Sequence, residues 1–159
     1  MRRPVMAKKR AKPAAFVVYG RDLAAKNALE GLLQRMGFRV LRFQDKADLL
    51  GPMPTISAVV QRGISDADMV FVLFTPDELA VLYDSKLQVP LDEPLAARWQ
   101  SRPNVIFEAG WAFGVKPERT MFVTVGDDTV LFSDVGGLHF VRLDQGGATS
   151  RLWSRLPLE

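Results

Sequence analysis

The sequence predicts an α/β protein of three layers, in which a five-stranded parallel sheet is flanked by helices. Short apolar runs alternate along the chain with segments whose apolar residues recur at helical spacing. One run, MVFVLF, is apolar throughout, as is typical of a strand that is buried on both faces of a parallel sheet. Right-handed crossovers between such strands place helices on both faces of the sheet. The 159 residues, 48% of them hydrophobic, suffice for one domain with a sizeable core.

The first half of the chain predicts three strands separated by two helices. The strands occupy residues 15–19, 38–43 and 69–76. The helices occupy residues 21–37 and 55–65, the first stopped by Gly37 and the second capped by Thr55. Between the second strand and the second helix, residues 44–54 form a polar, proline-rich loop.

The second half begins with an irregular segment, residues 77–101, in which we expect turns of helix at 79–83 and 95–99. A helix follows in the stretch RPNVIFEAGWAFG, residues 102–114, where Pro103 suits the first helical turn. Two further strands, at 120–126 and 138–144, and a short terminal helix at 149–156 complete the pattern. The economical arrangement of these elements is flavodoxin-like, and ligands of such sheets bind at the carboxyl ends of the strands.

The positive charge of the chain is concentrated in its first residues. The formal net charge is +3, but the first twelve residues hold six Lys and Arg and no acid, so the remainder carries −3. We therefore divide the chain into a basic, disordered tail, residues 1–13, and a single domain, residues 14–159. The sequence has no secretory signal and no apolar run long enough to span a bilayer, which predicts a cytoplasmic protein without membrane contact. Nucleic acid is expected to bind weakly at most, through the tail.

The residue types in the chain exclude several kinds of site. The absence of Cys excludes disulfides, thiolate zinc sites and Cys nucleophiles. A multi-histidine metal site or a Ser-His-Asp triad would depend on the one histidine, His139, which lies in a strand pattern typical of a structural residue. Neither GxGxxG after the first strand nor GxxxxGK[ST] occurs, so the phosphate-binding loops of dinucleotide-redox and P-loop proteins are missing. A response-regulator receiver would carry a phosphate-accepting Asp at the end of the third strand, where this chain has Thr75-Pro76.

Glu108 is a lone acid inside the mostly apolar stretch RPNVIFEAGWAFG. At about 100° per residue, Asn104, Glu108 and Trp111 lie on one narrow stripe beside a broad apolar face. A half-buried carboxylate can stabilise a cationic centre, and an aromatic side chain can stack on a flat base. The ordinary alternatives stay open: Glu108 as a charge on the flank of the helix, Asn104 as a cap and Trp111 as a core residue. Asp22, just after the first strand, is likewise typical of a helix N-cap.

Several stretches together resemble a known family. FVVYGRD, TI…QRGISDADMVFVLFTPDE and above all RPNVIFEAGWAFGVKPERT resemble the bacterial TIR-like domains, which include the TIR effectors of cyclic-nucleotide anti-phage systems. The resemblance covers about residues 15–145, and NVIFE is its most specific block. It implies that Glu108 is the catalytic residue of an NAD⁺ glycohydrolase. It also implies a substrate pocket with Asn104 at its rim, and we add Trp111 as a stacking residue. The strand-end residues that would line this pocket are Tyr19, Gly20, Arg21, Asp22, Phe74, Thr75 and Asp77.

The chain departs from the family pattern at three positions. Pro103 stands where a polar residue is usual, Ala109 where Leu is usual, and Tyr19 where His is frequent. All three departures bear on the shape of the pocket.

The implied reaction suits the residues that the chain contains. The nicotinamide of NAD⁺ is a cationic leaving group, so its departure needs no acid, and one carboxylate can stabilise the oxocarbenium-like ribosyl centre that remains. Glycosidases that expel a poor alcohol leaving group need a second carboxyl group. A site with one Glu is therefore adequate without a metal or a cofactor, with NAD⁺ or a related nucleotide as the substrate. The expected product is ADP-ribose or a cyclised variant.

Two other functions are compatible with the same residues. A nucleoside 2-deoxyribosyltransferase-like enzyme would use Glu108 as a nucleophile on a deoxynucleoside. A non-enzymatic nucleotide-binding or TIR–TIR signalling module would assemble without turnover. The resemblance itself implies a nucleotide-triggered defence effector that is activated by self-association, with the loop 44–54 completing the site of a neighbouring subunit. It also implies a sensor domain as a partner, either fused or separate.

Overall fold

The computed structural model describes residues 11–81, 97–126 and 140–157 of the chain. Within these ranges the strands are β1 Ala14–Val18, β2 Arg39–Leu41, β3 Met69–Phe74, β4 Glu78–Val81, β5 Ala97–Gln100, β6 Thr120–Thr124 and β7 Phe140–Arg142. The helices are α1 Leu23–Arg35, α2 Phe43–Leu49, α3 Ile56–Asp66, α4 Pro103–Val115 and α5 Ala148–Trp153.

The central sheet has five parallel strands in the order β2-β1-β3-β6-β7. This is the flavodoxin-like arrangement predicted from the alternation of strands and helices. The two central strands, β1 and β3, are buried along their whole length, with the sequences AAFVV and MVFVLF. A strand that is covered on both faces has no polar side to expose, which explains why neither sequence alternates.

Helices cover both faces of the sheet, and alternate residues of β1 point to opposite layers. Ala15 and Val17 face a core shared with buried leucines of α1 and α5, which are Leu29, Leu32, Leu33 and Leu152. Phe16 and Val18 face the opposite core, which is shared with residues of α3 and α4, namely Val60, Ile64, Val105, Ala109 and Ala112. The three layers predicted from the sequence are therefore confirmed.

Two helix starts have the caps that their sequences predict. The Asp22 carboxylate accepts a hydrogen bond of 2.8 Å from the Ala25 amide at the start of α1. The Thr55 hydroxyl accepts one of 3.2 Å from the Ala58 amide at the start of α3. Both hydrogen bonds satisfy amides that the first turn of a helix leaves without a backbone partner.

The predicted loop 44–54 is wrong in its first half, because α2 begins at Phe43 and continues to Leu49. The N-cap of α2 makes no side-chain hydrogen bond, so local capping does not explain the helix. An ion pair instead holds α2 against α3. Lys46 of α2 is 8% exposed, and its Nζ lies 2.8 Å from Oδ2 of Asp66 in the last turn of α3. A contact between residues distant in sequence therefore stabilises a short helix, although the prolines that follow it, Pro52 and Pro54, indicate a loop.

The helical turns predicted at 79–83 and 95–99 are also wrong within the described residues. Strands β4 and β5 pair there as an antiparallel hairpin, with Leu79 opposite Trp99. The pairing joins residues that are far apart along the chain, so the local spacing of apolar residues does not predict it. The amide of Asp77 donates a 3.0 Å hydrogen bond to the Gln100 carbonyl, which ties the base of the hairpin together beside the end of β3.

Some sequence predictions fall on residues outside the described ranges. These are most of the basic tail, His139, and the first two residues of the strand predicted at 138–144, whose described part is β7. The terminal helix predicted at 149–156 is present as α5 over Ala148–Trp153.

Candidate active site

A cavity of about 220 Å³ lies at the carboxyl end of β1, against the first turns of α3 and α4. The described residues that line it come from four elements: Phe16, Val17, Val18 and Tyr19 from β1 and its end, Phe43 from α2, Ile56 and Val60 from α3, and Arg102, Asn104, Val105 and Glu108 from α4 and its N-cap. Three of the predicted site residues, Tyr19, Asn104 and Glu108, thus share one cavity. Its volume is below the roughly 300–1,000 Å³ of typical sites for drug-sized ligands, so a whole dinucleotide would extend beyond it.

Glu108 lies half-buried on the second turn of α4 and lines this cavity. Val105, Ala109 and Ala112 occupy the buried face of the helix, which puts Glu108 on the boundary predicted by the helical wheel. Partial burial raises the pKa of the Glu108 carboxyl above its ordinary value, and the positive charge of Arg102 offsets part of that rise.

No hydrogen bond or ion pair to Glu108 occurs among the described residues. A half-buried carboxylate that lines a cavity and has a raised pKa is a candidate for a functional residue.

Arg102 is the N-cap of α4 and the one basic residue among the described residues that line the cavity. Its Nε lies 3.7 Å from Oε1 of Glu78 in β4, which is an ion pair too long for a hydrogen bond. Both side chains are about one-third exposed, at 36% and 35%. Sequence reasoning missed Arg102 as a site residue, although the arginine stands two positions before the NVIFE block, which is the most specific part of the resemblance.

A cluster of polar contacts joins the ends of β1 and β3 beside the cavity. Oδ1 of Asp77 accepts hydrogen bonds from the Thr75 hydroxyl at 2.8 Å and from the Arg21 amide at 3.3 Å. Its Oδ2 is buried without a hydrogen-bond partner among the described residues, and it lies against Gly20, where an added Cβ would be 1.8 Å away. Gly20, Arg21, Thr75 and Asp77 are therefore brought together by the fold, but they are not among the described residues that line the cavity.

The remaining predicted site residues have other neighbours in the structure. Asp22 caps α1, as described above. Phe74 is 1% exposed and packs against the rings of Phe122 and Phe140 in the core. Trp111 is half-buried and makes an edge contact with Phe107, with ring centroids 6.2 Å apart. Within the described residues, none of these three side chains lines the cavity.

Tyr19 is held at the rim of the cavity from the α1 side. The ammonium group of Lys26 lies 5.3 Å from the centroid of the Tyr19 ring, within the range of a cation–π contact. The Tyr19 side chain also packs against the core on the α1 face of the sheet. The aromatic residue that replaces the frequent His of the resembled pattern is thus fixed by contacts on α1.

The family model described as "CAP12/Pycsar effector protein, TIR domain" matches residues 14–145. The chain belongs to this family of TIR effector domains. The matched range contains every described residue that lines the cavity. The resemblance inferred from FVVYGRD and RPNVIFEAGWAFGVKPERT is therefore confirmed.

This TIR domain is also similar to YuaY of Escherichia coli (strain K12), which is described as an uncharacterized protein. The identity is 25% over 136 residues, which make up 86% of this chain and 42% of YuaY. The chain therefore spans less than half the length of that relative.

Two further properties concern membrane and metal binding. In the part of the TIR domain that the structure describes, none of the helices has the length and apolar character needed to cross a bilayer. The same described residues include no group of three or more His, Asp or Glu side chains placed to hold a metal ion.

Proposed function

We propose that this TIR domain is an NAD⁺ glycohydrolase that cleaves the bond between nicotinamide and ribose, with Glu108 as the catalytic residue. The observation that carries the proposal is the position of Glu108, a half-buried carboxylate with a raised pKa in a cavity at the carboxyl end of β1. Ligands of flavodoxin-like sheets bind at this edge. Membership of a family of TIR effector domains supports the same reading.

The reaction needs one negative group near the ribose. The C1′–N bond breaks with its electron pair passing to the nicotinamide ring, which thereby loses its positive charge. The oxocarbenium-like centre left at C1′ is stabilised by the Glu108 carboxylate, whose field is stronger in a half-buried site than in water. A water molecule then forms the new C1′–O bond and releases one proton, which gives ADP-ribose.

Side chains around Glu108 have matching roles in this proposal. Asn104 lies one helical turn before Glu108 and lines the same cavity, so its amide is placed to hydrogen-bond a ribose hydroxyl or the nicotinamide carboxamide. Tyr19 contributes to the wall of the cavity at the end of β1, while its ring is held on the α1 side of the sheet. The cluster formed by Gly20, Thr75 and Asp77 supports the cavity by fixing the ends of β1 and β3.

The same proposal extends to assembly and to biological role. Leu49 and Met53 lie in the segment expected to complete a neighbouring site and are 69% and 92% exposed, and Ile56 at the cavity is 67% exposed. Exposed apolar side chains favour contact with a second subunit. We therefore propose a defence effector that becomes active when a nucleotide signal assembles its TIR domains.

The test is the release of nicotinamide from NAD⁺ by the full chain and by Glu108→Gln, assayed at low protein concentration and under crowded conditions that promote assembly. Loss of the carboxylate is expected to reduce the rate by about 10²–10³-fold or more, the range seen when one preorganised stabilising group is removed. The matched control is Glu118→Gln, which removes an acid that is exposed just beyond α4 and does not line the cavity.

Both variants are expected to unfold at or above the denaturant concentration of the wild type, because neither removes a described ion pair and Glu108→Gln removes a partly desolvated charge. Equal nicotinamide release by the wild type and Glu108→Gln would exclude the catalytic role of Glu108. Base exchange on a deoxynucleoside, with NAD⁺ left intact, would exclude NAD⁺ as the substrate.

A further inference from the structure

Among the described residues that line the cavity, one is negatively charged and one is positively charged. Both come from the N-terminal half of α4 or from its N-cap. Glu108 supplies the negative charge and Arg102 the positive charge. We propose that Arg102 binds the diphosphate of the dinucleotide, and that Glu78 is the internal counter-ion from which Arg102 is released when the diphosphate binds. This inference rests on the proposed function, since it specifies how the same cavity orients its substrate.

The charges of the substrate match those of the cavity. NAD⁺ has a positive pyridinium ring on one ribose and a negative diphosphate beyond that ribose. A carboxylate is needed where the ribosyl cation develops, and a cation is needed where the diphosphate lies. The cavity of about 220 Å³ is too small for both halves of the dinucleotide, so the diphosphate has to lie near its mouth. A partly exposed arginine among the lining residues is suited to that position.

The resting ion pair of Arg102 is weak enough to be exchanged. At 3.7 Å between Nε and Oε1, with both side chains about one-third exposed, the contact with Glu78 is an ordinary solvent-screened pair. A diphosphate offers more negative charge than a carboxylate, and it accepts two parallel hydrogen bonds from a guanidinium group. Among the described residues, Glu78 is also the one carboxylate that forms a salt bridge with Arg102.

The backbone that carries Arg102 is fixed on both sides. The Arg102 carbonyl accepts the first hydrogen bond of α4, from the Ile106 amide at 3.2 Å. Its preceding neighbour, Ser101, is buried, and the Ser101 hydroxyl donates a 2.9 Å hydrogen bond to the Thr75 carbonyl at the end of β3. The side chain therefore projects from an anchored position, and binding a diphosphate requires only its rotation away from Glu78.

A second role for Arg102 predicts a different outcome. If the arginine only adjusts the charge state of Glu108, its removal would alter the pH dependence of cleavage and leave the binding of phosphate groups unchanged. The two roles are separated by ligands that carry or lack the diphosphate. ADP-ribose retains it, and nicotinamide riboside has the pyridinium and one ribose without any phosphate.

The experiment measures binding of ADP-ribose and of nicotinamide riboside to the full chain by NMR titration, for the wild type, Arg102→Gln, Arg102→Lys and Glu78→Gln. Arg102→Gln is expected to weaken ADP-ribose binding by about 10–100-fold, the value of a hydrogen bond to a charged group. Nicotinamide riboside binding is expected to stay within about twofold. Arg102→Lys keeps the charge but loses the planar fork, so an intermediate loss is expected. Glu78→Gln is expected to tighten ADP-ribose binding. The matched control is Arg98→Gln, an exposed arginine of β5 that does not line the cavity.

The inference would be overturned if Arg102→Gln weakened the binding of neither ADP-ribose nor nicotinamide riboside, or weakened the binding of both equally. A loss of ADP-ribose binding in Glu78→Gln as large as that in Arg102→Gln would also overturn it, because the ion pair would then have a structural role. Binding does not depend on turnover, so the two proposals fail separately. Arg102-dependent binding of ADP-ribose by a wild type that cleaves no NAD⁺ would refute the proposed function and support the phosphate contact. NAD⁺ cleavage with an unchanged KM in Arg102→Gln would support the function and refute the contact.

Discussion

Gly63 is the position at which one added methyl group tests the packing between α3 and the sheet. A Cβ on Gly63 would lie 2.4 Å from two ring carbons of Phe16 and 2.7 Å from a third. Non-bonded carbons are normally about 3.5–4.0 Å apart, so the ring or the helix would have to move by roughly 1 Å. The Phe16 ring is 2% exposed, belongs to the core beneath α3 and α4, and lines the cavity. Its packing in that core restricts movement of the ring except towards the cavity.

Two opposing contributions set the size of the effect of Gly63→Ala. Alanine in the interior of a helix is more favourable than glycine by about 0.5–1 kcal/mol. Forcing an extra methyl group into a well-packed core costs about 1–3 kcal/mol. The expected net result is a loss of up to about 2 kcal/mol in the free energy of unfolding, which corresponds to several degrees in Tm for a chain of this length.

The same substitution in two other helices provides matched controls. A Cβ on Gly31 in α1 would meet Arg35 Nη1 at the ordinary distance of 3.5 Å, and one on Gly110 in α4 would have nothing within 4 Å. Gly31→Ala and Gly110→Ala are therefore expected to stabilise the protein by about 0.5–1 kcal/mol. Urea unfolding followed by circular dichroism would measure all three variants. A midpoint for Gly63→Ala that equals or exceeds those of the two controls would refute the argument from packing.

Two further predictions concern pH. A hydrogen bond from Lys46 and a second from Arg62 lower the pKa of Asp66 below its ordinary value. The stability that this ionised group contributes is therefore complete above the pKa of the unfolded chain, about 3.9, and is lost as the pH falls through the lower folded pKa. Urea unfolding measured from pH 6 down to the lowest pH at which the protein still folds should show this loss of stability, and Asp66→Asn should make the loss smaller. An identical dependence on acid pH in the wild type and Asp66→Asn would count against a role of these hydrogen bonds in stability. For Glu108, burial raises the pKa, so NAD⁺ cleavage that needs the carboxylate should fall on acidification at a pH above the value of about 4.3 for an ordinary Glu. A cleavage rate that does not change across that range would contradict the catalytic role.

The sheet and its caps could be predicted because their signals are local. Runs such as AAFVV and MVFVLF contain no polar residue, so each is consistent with a strand buried on both faces. Asp22 and Thr55 precede helices and cap them through hydrogen bonds within three residues. Gly37 ends the turn after α1 with a φ of 90°, a conformation that favours glycine.

Helix α2 and the β4–β5 hairpin could not be predicted because contacts distant in sequence determine both. Lys46 in α2 finds its partner Asp66 at the far end of α3, and no local pattern links the two residues. Leu79 and Trp99 are paired across the hairpin, although each stands in a segment whose composition is equally typical of a helical turn. Both elements contribute directly to the site, α2 through Phe43 in the cavity and the hairpin through the contact of Glu78 with Arg102.

In the candidate site, too, some residues could be predicted from local sequence and one could not. The stripe of Asn104, Glu108 and Trp111 follows from helical geometry, and its first two members line the cavity as the stripe suggests. Arg102 is not part of that stripe, because it is the N-cap of α4 and precedes the first helical residue. Basic residues are unfavourable at this position, which is near the positive end of the helix dipole. A basic residue at this position is understandable if it serves a ligand or a partner charge, and the structure supplies the partner charge in Glu78.

The Gly-Arg-Asp sequence after β1 is explained by steric and hydrogen-bonding constraints as well as by any role with substrate. Gly20 leaves room for Oδ2 of Asp77, which an added Cβ would approach to 1.8 Å, and the amide of Arg21 donates to Oδ1 of the same carboxylate. Asp22 then caps α1. Gly20 and Asp22 thus have structural reasons that require no nucleotide, whereas the amide hydrogen bond of Arg21 does not depend on its side chain. The residues whose arrangement points most directly to chemistry are instead Glu108 and Arg102, because both are charged, both line the cavity, and neither caps a helix through its side chain.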